Sequence, residues 1–239
     1  MRANRTACHW RIQPRPGRVV TPGRSRLPSL SAALAGIPAG VQPAGPWSGH
    51  RQLFVKFADE AETATLYTAD ALRGELMRLT GRSHYHSVAI VGRDALVEQD
   101  FLIAAFNESV SLPVMIDHNG QHPAALARLL HVLALVQVTL DGGETSAAMD
   151  RVTESIRTAA SKQVAHAVAI VPTEAISDAL LLRIVEQIHD ASSDAKIVLH
   201  PVVDHTDDRD RRWVLWLEQA MAVHADVRVL PRWPAPVAR

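Results

Sequence analysis

Cysteine is almost missing from this 239-residue chain, whose single example, Cys8, lies near the start. The rest of the sequence therefore lacks the thiols for an internal disulfide, a thiolate zinc site or an iron–sulfur cluster, and a cytoplasmic location is the expectation. Acidic side chains are missing before Asp59. No apolar run approaches the ~20 residues that a helix needs to span a bilayer, so no membrane partner is expected. Net charge is missing too: 25 basic and 25 acidic residues cancel, which removes any global attraction to nucleic acid or to an anionic membrane surface.

The acid-free start carries Arg2, Arg5, Arg11, Arg15, Arg18, Arg24 and Arg26, interrupted by Pro14, Pro16, Pro22 and Pro28. Proline removes amide donors, and the composition cannot bury a core, so residues 1–36 read as a disordered tail. The tail resembles a transit peptide in its Arg and Ser content but lacks an amphipathic period. A basic arm of this kind can neutralise phosphates, yet the charge-balanced remainder offers no wider basic footprint, and nucleic acid is not an expected partner.

The whole chain is 47% hydrophobic, and residues 37–239 read as one α/β domain. Short β-rich runs alternate with longer helical patterns, the rhythm of βα units that build a parallel sheet. Strands are predicted at Leu53–Phe57, Ser87–Val91, Pro113–Ile116, Leu135–Leu140, Ala165–Val171, Lys196–Val203 and Val227–Leu230. Helices are predicted at Thr68–Leu79, around the Leu96–Phe106 stripe, from Pro123 through Leu130, at Thr145–Lys162, after a Thr173 cap, and at Asp208–Val223. Right-handed crossovers close such a series into a partial barrel or an open wound sheet, with the site at the C-terminal strand ends in either case.

The residues following those strands are rich in carboxylates and imidazoles. They comprise Gly92, Arg93 and Asp94; Asp117, His118, Asn119 and Gly120; and Asp141 and Gly142, while the strand Lys196–Val203 itself contains His200 and ends near Asp204 and His205. Asp117, His118, Asp141, His200 and His205 could hold a divalent metal or perform acid–base chemistry. The plainer reading is that Asp and Asn cap helices and fill turns at such junctions, with His200 a hydrogen-bonded histidine near the core. Trp213 and Trp216, three apart on the last helix, read as packing residues.

The motifs in order resemble the 7-carboxy-7-deazaguanine synthase-like radical S-adenosylmethionine proteins, over roughly Ile37 to the C-terminus. Gln42-Pro43-Ala44-Gly45-Pro46-Trp47-Ser48-Gly49, followed by Phe54-Val55-Lys56-Phe57, is similar to that family's opening Q-G-E-G-P-x-x-G motif and first strand. Val91-Gly92-Arg93-Asp94-Ala95-Leu96 resembles T-G-G-E-P-L, and Asp117-His118-Asn119-Gly120 resembles E-T-N-G. Asp141 matches the D of D-x-K, His200-Pro201-Val202 looks like Q-P-V, and Val227-Arg228-Val229-Leu230-Pro231-Arg232 looks like the closing V-R-V-L-P-Q.

The resemblance implies a partial (β/α)6-type barrel. It implies an S-adenosylmethionine pocket at Gly92, Asp94, Asn119, Asp141 and His200, and substrate contacts at Gln42 and Arg232. It also implies three cluster cysteines, but the C-x-x-x-C-x-x-C positions fall on Glu60, Ala64 and Tyr67, which cannot supply three thiolates. A 4Fe–4S cluster is therefore not expected. The chain reads as a cluster-less, catalytically inactive relative with at most residual S-adenosylmethionine binding, acting through a protein or small-molecule partner and compatible with a homodimer. The alternative expectation is a metal-assisted or acid–base enzyme built on the Asp and His residues of the same crevice.

Overall fold

A computed structural model describes residues 30–60, 62–92, 95–107, 110–140, 146–172, 176–201 and 212–234. Among the described residues, ten strands form one mostly parallel sheet, with six α-helices. Seven strands are parallel and lie side by side in chain order: β3 (Arg51–Phe57), β5 (Ser87–Val91), β6 (Val114–His118), β7 (Leu135–Leu140), β8 (Ala165–Ile170), β9 (Lys196–Leu199) and β10 (Val227–Val229). The sheet does not close on itself: β10 is one edge and β4 (Thr65–Thr68) the other.

Because neighbouring strands follow one another in sequence, every crossover steps in the same direction and the helices stack on one face. They are α1 (Ala69–Thr80), α2 (Gln99–Phe106), α3 (Pro123–Leu129), α4 (Ser146–Ser161), α5 (Asp178–Ala191) and α6 (Arg212–Val223), each contacting the next. Strand residues of one parity, such as Leu53, Val55, Val88, Ile90, Val136, Val138, Val168, Ile170, Ile197 and Leu199, are buried beneath them. The opposite parity, Phe54, Ala89, Met115, Leu135 and Ala167, forms a separate apolar cluster on the far face, covered by Trp47. This two-sided burial is why the parallel strands read as continuous apolar runs.

Local signals set the helix starts. Thr68 Oγ1 accepts from the Ala71 amide at 3.1 Å and caps α1, while Pro123 occupies the first turn of α3. The α5 cap is Ser177, whose Oγ accepts from the Leu180 amide at 3.2 Å. The expected Thr173 cap and Thr145 helix start lie outside the described residues.

Several boundaries differ from the sequence reading. The sheet begins before residue 37: Ser31–Gly36 forms β1, which buries Ala32 and Leu34 and pairs antiparallel with both β3 and β4. β2 (Ala39–Val41) adds a second antiparallel partner to β3. Their short Ala- and Gly-rich sequences carry a weak strand signal and become strands by having a partner to bond. The start of the predicted Leu96–Phe106 helical stripe also shifts, because Ala95–Glu98 forms a 3-10 turn before α2. His200 follows β9 rather than lying within it.

Candidate functional site

The C-terminal ends of β5, β6 and β7 open onto a cleft of about 210 Å³ lined by Gly92, Ala95, Leu96, Asp117, His118, Asn119, Gln121, His122 and Thr139. Its lining includes Gly92, which follows β5 with φ +109, and where a Cβ would stand 2.6 Å from the Phe57 carbonyl oxygen. Glycine alone accepts both that backbone conformation and that approach.

Asp117 faces inward from the end of β6, opposite Gln137 of β7 in the parallel register. Both its oxygens are engaged: Oδ1 accepts from Thr139 Oγ1 at 2.6 Å and Oδ2 from Gln137 Nε2 at 3.0 Å. Burial pushes its carboxyl up to about 6, opposed by those two hydrogen bonds and by the charge of Arg232. A carboxyl so placed changes protonation close to neutrality.

The neighbouring His118 is driven the other way. Burial lowers its imidazole to about 4, with a smaller raising effect from the Gln121 backbone and a lowering one from His122. Its Nδ1 accepts from the Gly120 amide at 3.2 Å, and its enclosed Nε2 has no hydrogen-bond partner among the described residues. Asn119 Oδ1 accepts from the Gln121 amide at 3.1 Å, which leaves the Asn119 NH2 turned to donate elsewhere.

Beside this cleft, the loop from Gln42 to His50 crosses the face of the sheet that bears no helices. The Gly45 amide donates to His200 Nε2 at 2.7 Å, and the Trp233 amide donates to the Pro43 carbonyl at 3.0 Å. Gly45 has φ +82, and a Cβ there would stand 1.8 Å from Gln137 Oε1, so the loop backbone lies directly on the β7 side chain. At the far end of the loop Trp47 meets His86 edge-on at 4.9 Å, and His86 stacks on His50 at 4.1 Å.

The sequence-predicted residues therefore divide. Gly92 and Asn119 line the cleft together with Asp117 and His118. His200 is fully buried beneath the loop, and burial holds its imidazole below the usual range against the favourable Pro231 and Leu230 carbonyls. It is a loop-anchoring histidine and does not open on the cleft. Gln42 is also fully buried, its Nε2 donating to the Ala44 carbonyl at 3.0 Å. Arg232 is exposed, with its charge reaching Asp117 and His200. Asp94, Asp141 and His205 lie outside the described residues.

Glu60 and Ala64 are exposed, whereas Tyr67 belongs to β4, paired with Ala32 and packed against the core. These three positions offer a carboxylate, a methyl and a phenol, a donor set that does not fit an iron–sulfur cluster. Among the described residues no group of three or more His, Cys, Asp or Glu side chains comes together as metal ligands. None of the described helices is long and apolar enough to cross a membrane.

Sequence reasoning missed Thr139, Gln137 and His122 as members of the site. Thr139 and Gln137 share the inward parity of β7, a period-two signal that singles out polar residues within an otherwise apolar strand. His122 carried no local signal beyond standing before Pro123, and it adopts a left-handed φ of 57.

No protein-family model matches the chain, and neither does any curated protein.

Proposed function

We propose that this chain is a cluster-less relative of the 7-carboxy-7-deazaguanine synthase-like radical S-adenosylmethionine proteins, its unclosed sheet being their partial (β/α)6 barrel, and that it binds a small polar ligand instead of performing radical chemistry. The observation that carries this reading is the cleft at the ends of β5, β6 and β7, where Gly92, Asp117, His118 and Asn119 converge on one space. Ligands of parallel α/β sheets bind at such strand ends. Seven parallel strands in sequential order with helices on a single face support the barrel-like part of the reading. Residual S-adenosylmethionine binding would use Gly92 and Asn119. Without three thiolates no cluster donates the electron that cleaves that cosubstrate.

Two measurements on the full chain test the reading. Anaerobic reconstitution with iron and sulfide is expected to give no cluster absorbance and no 5′-deoxyadenosine. A thermal-shift screen with S-adenosylmethionine and deazapurines is expected to find a compound that raises the melting temperature, because selective binding to the folded state stabilises it. A stoichiometric cluster with turnover would sink the proposal.

One observation favours a second reading, an acid–base enzyme. Asp117 changes protonation at about 6 inside the cleft, where a general acid or base works best. A model-ester or phosphoester hydrolysis that follows this ionisation and disappears in Asp117→Asn would establish it. Flat, background-level rates would dispose of it.

A further inference from the structure

The hydrogen-bond pattern of the cleft says more about its ligand than its shape does. A neutral imidazole has one protonated and one bare nitrogen. The Gly120 amide donates to His118 Nδ1, so that nitrogen is the bare one and the proton resides on Nε2. Nε2–H is therefore a donor, enclosed and without a partner among the described residues, on a residue that lines the cleft. Asn119 adds a second donor, since its Oδ1 is committed to the Gln121 amide. Both Asp117 oxygens already accept a hydrogen bond, one from Thr139 and one from Gln137. Arg232 extends a positive field over the same region.

We infer that His118 selects the ligand of this cleft by donating Nε2–H to an oxyanion, a carboxylate or phosphate oxygen of a small molecule, and that this nitrogen is not a metal ligand. A metal would need the Nε2 lone pair, which the proton occupies as long as the Gly120 amide holds Nδ1. An oxyanion instead completes an enclosed donor of the cleft that has no partner among the described residues, and a donor of that kind is costly to leave unmade. The inference rests on the ligand-binding reading of the cleft and deepens it by naming the recognised group.

The test is long-range 1H–15N correlation spectroscopy of the histidine rings in the full chain, with His118 assigned by its loss in His118→Asn. At pH 7 the His118 signals are expected to show the Nε2–H tautomer. Titration with sodium acetate and, separately, sodium phosphate into the tens of millimolar is expected to move Nε2 saturably with at least one of them, and the arm that responds identifies the source of the oxyanion. Zinc is expected to leave this nitrogen unmoved.

Two variants separate the donor from the fold. Asn at 118 keeps an acceptor for the Gly120 amide and lacks the outer donor, so affinity for the responding anion is expected to fall ~10-fold or more. Gln at 118 restores a donor near the Nε2 position and is expected to recover most of that loss. The inference is overturned by the Nδ1–H tautomer, by a zinc-dependent shift of Nε2, by the absence of any anion response, or by unchanged anion affinity in His118→Asn. If Asn119 and Leu96 amides move with S-adenosylmethionine or a deazapurine while His118 responds to no anion, only this inference fails. If neither responds to any compound, the ligand-binding reading falls with it.

Discussion

The sharpest consequence of the cleft is a pH dependence that wild type conceals and Asp117→Asn reveals. Asp117 has its carboxyl raised from 3.8 to about 6 by burial. Between those values the folded state holds a proton that the unfolded chain has released, so stability falls as pH rises through this window. The contribution is intact below 3.8 and gone above 6. A shift of that size corresponds to at most ~3 kcal/mol, reduced by solvent reaching the cleft rim.

His118 opposes it, because its imidazole is lowered from 6.5 to about 4. Across that range the unfolded chain binds the proton and the folded state does not, so stability falls as pH drops. The two neighbours nearly cancel, and the wild-type profile is expected to look flat around them. Asp117→Asn is isosteric, with its Oδ1 still able to accept from Thr139. The variant is expected to gain ~2 kcal/mol over wild type between pH 4.5 and pH 7.5, read from urea unfolding midpoints and slopes. A stability difference between variant and wild type that stays constant over that pH range would refute the buried-carboxyl argument.

Three further outcomes follow from the geometry. Gly92→Ala places a Cβ 2.6 Å from the Phe57 carbonyl oxygen at φ +109, and should cost ~1–3 kcal/mol in chemical denaturation. His200→Ala removes the acceptor of the Gly45 amide, so exchange of that amide with deuterium should accelerate while helix amides keep their protection, at a stability cost of ~1–3 kcal/mol. Trp47→Ala strips the cover from Phe54, Ala89, Met115, Leu135 and Ala167. It should lower stability by ~2 kcal/mol or more and raise binding of a hydrophobic dye, and an unchanged melting curve would contradict the packing described for this loop.

The parallel strands and their helices were legible in the chain because their causes are local. Apolar runs such as Leu53–Phe57 and Leu135–Leu140, the Thr68 cap and Pro123 depend on neighbours a few residues away. The same locality exposed Gly92, Asp117, His118 and Asn119 as residues at strand ends. β1, β2 and β4 were not legible, since Ser31–Gly36 or Thr65–Thr68 becomes a strand through a partner that is distant in sequence.

By itself, then, the sequence determined the alternating α/β order, the lack of any thiol after Cys8, and the polar character of the strand ends. Tertiary structure alone decided which of those polar residues share a space. It buried His200 under Gly45 while opening His118 to the cleft, and it set Asp117 between Thr139 and Gln137. The reason is physical: residue type sets what a side chain can donate or accept, but its proton position and solvation come from atoms brought to it by other strands. For His118 the Gly120 amide, two residues along its own turn, fixes the proton, and enclosure by the rest of the fold leaves that proton unpaired.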